Sequence, residues 1–263
     1  MNNFSNNQDI QKYGCLALAN IAFEEKNRNE IVELKGIEII IKSMNNFPNN
    51  QNIQENGCLA LANIFEEKNK NEIVELKGIE IIIKSMNNFP KIKNQKIQEN
   101  GCLKILLLNK ILANIAFGEK NRNEIVELKG IEIIIKSMNN FLNNQDIQEN
   151  GCLALANIAV EEKNRNKIVE LKGIEIIIKS MNNFPNNQNI QENGCLALRN
   201  LTIEEKNRNK IVELKGIEII IKSMNNFPNN QDIQENGCLA LRNLTIEMKK
   251  IENEIVQKSK ESK

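Results

Sequence analysis

The chain is built from one segment copied along its length, and this repetition limits what it can fold into. The stretch IQENGCLALANI at Ile53–Ile64 recurs in full or in part six times, and its Gly-Cys pairs are 43, 44, 50, 43 and 43 residues apart. A chain of copied units folds as a solenoid in which each unit contacts its neighbours. A period of about 40–47 residues indicates units of two or three stacked helices.

The first half of each unit predicts two helices. The first covers Arg28–Lys35, and Gly36 follows it as a residue suited to a left-handed helix stop. The second covers about Ile37–Asn46, because its apolar residues recur at helical spacing. Pro48 ends this helix, since the residue before a proline is disfavoured in the helical region.

A third helix begins after Asn52, which is predicted to act as N-cap with Glu55 completing a capping box. The same pairing recurs as Asp146/Glu149, Asn189/Glu192 and Asp232/Glu235, whereas Asp9/Lys12 and Lys96/Glu99 each keep one half. A glycine in the middle of a helix costs about 1 kcal/mol relative to alanine. Its presence in all six copies, as at Gly57, predicts a crowded contact. The predicted buried stripe is Ile53, Gly57, Cys58, Leu61 and Ile64.

The segment GIEIIIKS allows a second interpretation, because its β-branched residues favour a strand. A strand and a helix in each unit would give a leucine-rich-repeat horseshoe. Those units are about 20–29 residues long and carry an LxxLxLxxN signature. This sequence has neither the period nor the signature, so we expect a helix.

One unit carries a seven-residue insertion in its third helix, within GCLKILLLNKILANIAF. Seven residues make nearly two helical turns, so a longer helix keeps its faces almost in register. The alternative is a loop that bulges out, but KILLLNK contains neither glycine nor proline. We therefore favour the longer helix.

The six cysteines follow a glycine in every copy, and we expect them to be buried core residues in a reducing compartment. Equivalent residues of stacked helices lie roughly 8–10 Å apart, beyond the reach of a disulfide. The chain has no histidine and no CxxC motif, so no zinc or other metal site is expected. The cysteines are Cys15, Cys58, Cys102, Cys152, Cys195 and Cys238.

Charge and composition argue against several classes of function. The net charge of +1 disfavours nucleic acid and anionic membranes as partners. No apolar run approaches the roughly 20 residues of a membrane span, and no secretory signal opens the chain. The chain shows no paired nucleophile and base and no phosphate-binding loop, so neither an enzyme nor a cofactor is expected. We expect a cytoplasmic protein, with nuclear residence as the alternative.

Three features together resemble the armadillo repeat: the GI that opens the second helix, the small Gly-Cys pair, and the A-L-x-N-[IL] end of the third helix. They cover the chain from Asp9 to about Ile246. The resemblance implies an all-α, right-handed α-solenoid of three-helix repeats. Its expected parts are a partial N-terminal repeat (1–26), five repeats (about 27–68, 69–120, 121–163, 164–206 and 207–246) and a polar C-terminal helix or tail (247–263) that resembles a decayed first helix.

In the armadillo family the third helices line a concave groove, and an asparagine near the end of each helix bonds to the backbone of an extended peptide. The resemblance carries this role to Asn20, Asn63, Asn114, Asn157, Asn200 and Asn243.

The spacing within the third helix draws attention to the same residues. Asn56 and Asn63 are seven residues apart and therefore share one helix face, with Leu59 between them. An amide offers both a donor and an acceptor, which suits a peptide backbone of any sequence. Alternatively, such asparagines bond their own backbone or the next helix. The upper position is held by Tyr13, Asn56, Asn100, Asn150, Asn193 and Asn236.

The sequence also departs from known relatives. Importin-α has a tryptophan one turn before the asparagine, whereas this chain has no tryptophan, so recognition of basic import signals is not expected. Arg199 and Arg242 replace alanines of the other copies. We expect an acidic group of a partner to dock near these two arginines.

We therefore expect a non-enzymatic scaffold that binds an extended protein segment. A second hypothesis is end-to-end self-association, or a fragment of a longer array, because Ile10 and Leu18 are expected to expose apolar surface. A third is that the repeats form the targeting or regulatory part of a larger protein.

Overall fold

The computed structural model describes residues 1–64, 70–88, 113, 116 and 118–261 of the chain. Every regular element in these ranges is helical. Within the described residues, a 3₁₀ turn at Asn2–Phe4 precedes fifteen α-helices. The chain divides into two compact units, residues 1–133 and 134–263.

The first unit repeats the expected order of a short, a middle and a long helix. The third helix α1 is followed by a complete repeat, α2 to α4, and by parts of two more. The bounds are α1 Gln8–Ile21, α2 Glu25–Glu33, α3 Gly36–Asn46, α4 Gln51–Ile64, α5 Lys70–Glu75, α6 Gly78–Asn88 and α7 Glu119–Glu127.

The second unit begins within α8 and repeats the same order of short, middle and long helices. The bounds are α8 Gly130–Asn140, α9 Gln145–Ile158, α10 Glu162–Glu170, α11 Gly173–Asn183, α12 Gln188–Leu201, α13 Glu205–Glu213, α14 Gly216–Asn226 and α15 Gln231–Glu261. The expected polar C-terminal helix is the continuation of α15 rather than a separate element. Every described copy of GIEIIIKSMNN is a helix, so the strand interpretation is wrong for these copies. The seven-residue insertion lies outside the described residues.

A lysine rather than a glycine adopts the left-handed conformation between the first and second helices. Lys35 has φ 59° and ψ 34°, the left-handed conformation that the sequence led us to expect near Gly36. Gly36 instead begins α3, where an added Cβ atom would lie 2.3 Å from Ile31 Cγ2 and 2.7 Å from Ile31 O. This glycine is therefore required by the close approach of two helices, and the expectation of a glycine stop was wrong. The other lysines with positive φ are Lys77, Lys129, Lys172 and Lys215.

The N-cap of the third helix lies two residues earlier than predicted. Asn50 Oδ1 accepts a hydrogen bond from the Ile53 N–H at 3.0 Å. Asn52 is already helical, so it cannot have the extended backbone of an N-cap. The predicted capping box is therefore wrong, and Glu55 accepts instead from Gln51 Nε2 at 2.8 Å. The caps observed are Asn7, Asn50, Asn144, Asn187 and Asn230; Lys96 and Glu99 lie outside the described residues.

The glycine in the middle of the third helix packs against a methionine of the second helix. A Cβ atom added to Gly57 would lie 2.6 Å from Met44 Cγ and Sδ. Gly151, Gly194 and Gly237 face Met138, Met181 and Met224 in the same way. The predicted crowding is confirmed.

A glutamine joins the second and third helices of the described repeats; it is buried in all of them except the last, where Gln234 is partly buried. Gln54 Nε2 donates to Met44 O at 2.7 Å and to Phe47 O at 3.1 Å. In the first unit the Ser43 hydroxyl, on the second helix of the next repeat, donates to Gln11 Oε1. This glutamine position therefore bonds helices within one repeat and also bonds that repeat to the next one. Its role was not predicted from the sequence.

The N-terminal residues complete the first repeat in the same way. Gln11 Nε2 donates to Met1 O and Phe4 O, both at 2.9 Å. Met1 therefore takes the place that Met44 holds in the next repeat. Ile10 and Leu18 are half-buried, and Ile21 is 47% exposed. The apolar surface that was expected at Ile10 and Leu18 is therefore exposed only in part.

The described cysteines are free, and four of them are buried as predicted. Burial raises the pKa of Cys15 and Cys195 to about 11 and that of Cys152 to about 12, so these thiols stay protonated near neutral pH. Cys238 is exposed, so the expectation of a buried core residue was wrong there. The four buried cysteines are Cys15, Cys58, Cys152 and Cys195; Cys102 lies outside the described residues.

The crowding at Gly194 gives a test of the packing. We expect Gly194→Ala to lower the free energy of unfolding by about 1–2 kcal/mol, since overpacking outweighs the gain in helix propensity. In a Met181→Ala background the added methyl group has room, so the same substitution should become neutral or stabilising. Urea unfolding of the four proteins measures the cycle. Equal effects in both backgrounds would contradict the contact.

Candidate functional site

The asparagines near the end of the third helices tie neighbouring repeats together. Asn63 Nδ2 donates to Ala19 O, on the third helix of the preceding repeat, at 2.9 Å. Asn200 Nδ2 makes the same bond to Ala156 O at 3.0 Å. One N–H of each amide is therefore used inside the protein. This is the structural role that the sequence analysis left open.

The other hydrogen-bonding groups of these amides have no partner inside the described part of the protein. Asn63, Asn200 and Asn243 are partly exposed, and their Oδ1 atoms have no hydrogen-bond partner in the part of the chain that the structure describes. Because the internal bond fixes the side chain, the second N–H and Oδ1 are held in a defined orientation. Asn243 Nδ2 uses a different partner, Thr202 Oγ1, at 3.1 Å.

The remaining asparagines of this row differ from one another. Asn20 is exposed, and its side chain makes no hydrogen bond to the described residues. Asn157 is buried, with 9% of its surface exposed, so it does not lie open as the helix spacing led us to expect. Asn114 lies outside the described residues.

The upper row shows the same internal bond in two copies. Asn56 Nδ2 donates to Lys12 O at 3.1 Å, and Asn193 Nδ2 donates to Glu149 O at 3.4 Å. Asn150 instead bonds its own helix at Asp146 O, at 2.9 Å.

Tyr13 is 58% exposed and lies beneath Lys12, whose Nζ is 4.8 Å from the ring centroid. Half-buried leucines separate the upper and lower rows. In each of the two units we call this surface, with its two rows and its leucines, the third-helix face. The leucines are Leu16, Leu59, Leu153, Leu196 and Leu239; Asn100 lies outside the described residues.

The two arginines lie in different surroundings. Arg199 is partly exposed, and its Nη1 donates to Asn236 Oδ1 on the next third helix at 2.9 Å. Asn236 is buried, with 7% of its surface exposed. Arg242 is exposed. Arg199 therefore takes part in a repeat junction, whereas Arg242 offers its guanidinium group to solvent.

The KNRN segment has a role that the sequence analysis missed. Asn164 Nδ2 donates to Ile158 O at 3.3 Å, and Arg165 Nη1 donates to Ala159 O at 3.2 Å, so both residues cap the end of α9. Arg165 also pairs with Glu204 Oε1 at 2.7 Å, although only 8% of its side chain is exposed. The position of KNRN just after each third helix was the available signal.

Glu24 and Glu25, of the first EE pair, are exposed as expected.

The family model of the LRRK2 ARM repeat matches residues 75–263, well over half of the chain. The chain belongs to the armadillo repeat family. Its helices accordingly form an all-α armadillo-type solenoid of three-helix repeats. No curated protein matches the sequence.

Solved structures support the same fold. One engineered protein is 24% identical, with a TM-score of 0.69, and the match covers 92% of this chain and 93% of that one. A second engineered protein is 25% identical, with a TM-score of 0.71 over 91% of this chain and 55% of that one.

A third solved structure concerns a conserved phosphorylation switch that controls the interaction between cadherin and β-catenin. It is 13% identical, with a TM-score of 0.58 over 87% of this chain and 48% of that one. The armadillo chain thus spans about half the length of two of these three proteins. Among the helices described, none has the length and apolar character needed to cross a membrane.

The internal bond of Asn200 predicts a stability effect. We expect Asn200→Ala to lower the free energy of unfolding by about 1 kcal/mol, since the Ala156 carbonyl loses its partner. Asn20→Ala is the matched control and should leave stability unchanged, because Asn20 makes no such bond in the described structure. Thermal and urea unfolding compare the two variants. Equal losses in the two variants would contradict a specific contribution of the bond between Asn200 and Ala156.

Proposed function

We propose that this armadillo repeat chain is a non-enzymatic scaffold that binds an extended peptide segment along the third-helix face. The observation that carries the proposal is the fixed orientation of the exposed amides. Asn63 and Asn200 each use one N–H inside the protein, are partly exposed, and have an Oδ1 without a hydrogen-bond partner among the described residues.

The chemistry of these amides suits a peptide backbone. A side-chain amide accepts from a backbone N–H and donates to a backbone C=O at the same time. Because the internal bond already restricts the side chain, binding loses less conformational entropy. A row of such amides holds a strand without reading its side chains, while the half-buried leucines offer apolar contacts between them.

The similar proteins favour a protein partner in general terms. Armadillo solenoids typically act as protein-interaction scaffolds, and the β-catenin structure concerns an interaction with cadherin. That interaction belongs to β-catenin. For this chain we propose a protein segment of unassigned sequence, with the cytoplasm as the expected compartment and the nucleus as the alternative.

A triple substitution tests the third-helix face. We expect Asn63→Ala, Asn200→Ala and Asn243→Ala together to weaken binding of peptides selected from a random displayed library by at least about tenfold, which corresponds to about 1.4 kcal/mol. Fluorescence anisotropy with the selected peptides measures the dissociation constants.

The matched control removes similar inter-repeat bonds elsewhere. Asn46 Nδ2 donates to Ser5 O at 3.2 Å, and Asn226 Nδ2 donates to Pro185 O at 3.0 Å, both at the opposite end of the repeat. Asn46→Ala with Asn226→Ala should keep the affinity. If the control loses as much affinity as the triple variant, the effect is on stability and the proposed site is wrong.

The arginines predict where an acidic group of the partner docks. We expect Arg199→Glu with Arg242→Glu to weaken binding of an acidic peptide and to reverse its dependence on salt, since the glutamates repel the peptide and salt screens exposed charges. Arg242→Glu alone should account for most of the change, because Arg242 is exposed and Arg199 bonds Asn236. Titrations at two salt concentrations measure this. Unchanged affinity in the double variant would rule out the acidic anchor.

A further inference from the structure

A large apolar residue follows the A-L-x-N-[IL] end of the third helix in every copy, and it is exposed wherever the structure describes its side chain. In the second unit Val160 is 51% exposed, Ile203 55% and Ile246 57%, and in the first unit Phe23 is 75% exposed. Helices α13 to α15 follow Ile203 and pack against α12, so its exposure does not come from a missing neighbour. The six residues are Phe23, Phe65, Phe117, Val160, Ile203 and Ile246; Phe65 and Phe117 lie outside the described residues.

A largely buried arginine holds the turn that carries this side chain. Arg165 Nη1 donates to Val160 O at 2.8 Å, and Arg208 Nη1 donates to Ile203 O at 3.1 Å. Each arginine also donates to the carbonyl one residue earlier, at 3.2 Å in both turns. The side chains of these two arginines are only 8% and 14% exposed. The backbone of each turn is therefore fixed at two consecutive carbonyls, while the apolar side chain stays in solvent.

This arrangement differs from the apolar residues that are scattered singly over most protein surfaces and need no explanation. Here one large apolar side chain stands at the same position of each described repeat. Because its backbone is already held in place, a partner that packs against it loses less conformational entropy. We call Val160, Ile203 and Ile246 of the second unit the apolar ridge.

The apolar ridge borders the third-helix face of the second unit. Ile246 follows Asn243 by three residues on α15, and residues three apart on a helix are neighbours. Ile203 follows Asn200 by three residues, on the turn directly after α12. Helix α12 packs against both α9 and α15. The ridge therefore runs across successive third helices, beside the exposed amides.

The spacing of the apolar ridge favours one backbone conformation of a bound segment. Packed helices lie roughly 8–10 Å apart. A polyproline II helix has three residues per turn, so the side chains on one of its faces recur about every 9 Å. Three residues of a β-strand cover about 10 Å, but residues three apart in a strand point to opposite faces. Of these two conformations, polyproline II is the one that offers a side chain to every ridge residue.

The same conformation suits the asparagines. A polyproline II helix has no internal hydrogen bonds, so its backbone groups stay available to a partner. Asn200 and Asn243 lie one repeat apart, as do Ile203 and Ile246. A segment that advances three residues per repeat can therefore meet one amide and one ridge residue in each repeat.

We propose that the partner of the third-helix face is a segment in the polyproline II conformation, with a large apolar side chain at every third residue packed on the apolar ridge. This inference rests on the proposed function, because the asparagines hold the backbone of the same segment. It adds the conformation and the side-chain pattern that the repeats select. Asparagines that bond any backbone leave this choice to the ridge.

Two fluorescently labelled peptides of identical composition test the pattern. The first repeats Leu-Pro-Pro three times, so that prolines hold the polyproline II conformation and the leucines share one face. The second carries its three leucines at alternate positions, so only one of them can meet the ridge. We expect the first peptide to bind the whole chain at least about tenfold more tightly by fluorescence anisotropy, since it buries more leucine surface. Equal affinities, or no binding of the first peptide, would overturn the proposal.

Substitutions on the ridge have a matched control elsewhere on the surface. Ile203→Asp places a charge against a leucine and should weaken binding of the first peptide at least about tenfold, whereas Ile203→Leu should keep the affinity. Ile221→Asp changes another isoleucine, 44% exposed on α14, and should leave the affinity unchanged. Circular dichroism checks that each variant is folded. The apolar ridge is not the site if Ile203→Asp and Ile221→Asp lose affinity equally.

Peptides selected from the random library separate this inference from the proposed function. Selected peptides that depend on the asparagines but are unaffected by Ile203→Asp would overturn the ridge and leave the proposed function standing. Selected peptides that are unaffected by either change would overturn both. Light scattering tests a different occupant: a dimer that Ile203→Asp dissociates would mean that a second copy of the chain covers the ridge, and the proposal would be wrong.

Discussion

The contact between a methionine on the second helix and a glycine on the third sets the geometry on which each repeat depends. Gly57, Gly151, Gly194 and Gly237 all lie where an added Cβ atom would overlap a methionine side chain. The two longest helices of a repeat can approach closely only because this position carries no side chain. A buried glutamine then bonds the end of the second helix, so the same junction is fixed by packing and by hydrogen bonds.

Polar side chains join each repeat to its neighbours. Ser43 donates to Gln11 in the preceding repeat, Asn63 donates to the backbone of the preceding third helix, and Arg165 pairs with Glu204 at the start of α13. Buried polar groups are costly unless paired, so they favour one register between repeats that are nearly identical in sequence. Asn63 and Asn200 serve this junction and are still partly exposed, with Oδ1 atoms that have no partner among the described residues. Structural support and the proposed recognition therefore reside in the same side chain.

Equivalent residues have different surroundings at different places in the array. Cys195 is buried under Ser223, whereas Cys238 is exposed because α15 continues to Glu261 and no second helix covers it in the described structure. Asn200 is partly exposed, whereas Asn157 is buried. A repeated sequence thus produces different chemical surfaces.

Much of the fold could be predicted from the sequence alone, because its signals are local or periodic. The repeat length and the apolar spacing indicated three helices, Pro48 marked the end of the second, and the glycine of the third helix indicated a crowded contact. The N-cap was misplaced because several asparagines precede each third helix, and only the backbone decides which one is extended. The sequence placed the left-handed stop at Gly36, whereas Lys35 adopts that conformation. The glycine is required by its contact with Ile31 and not by its backbone conformation. The partners of Asn63, Gln11 and Arg165 lie in other repeats or beyond a turn, so only the packed structure could decide which of their atoms remain for a ligand.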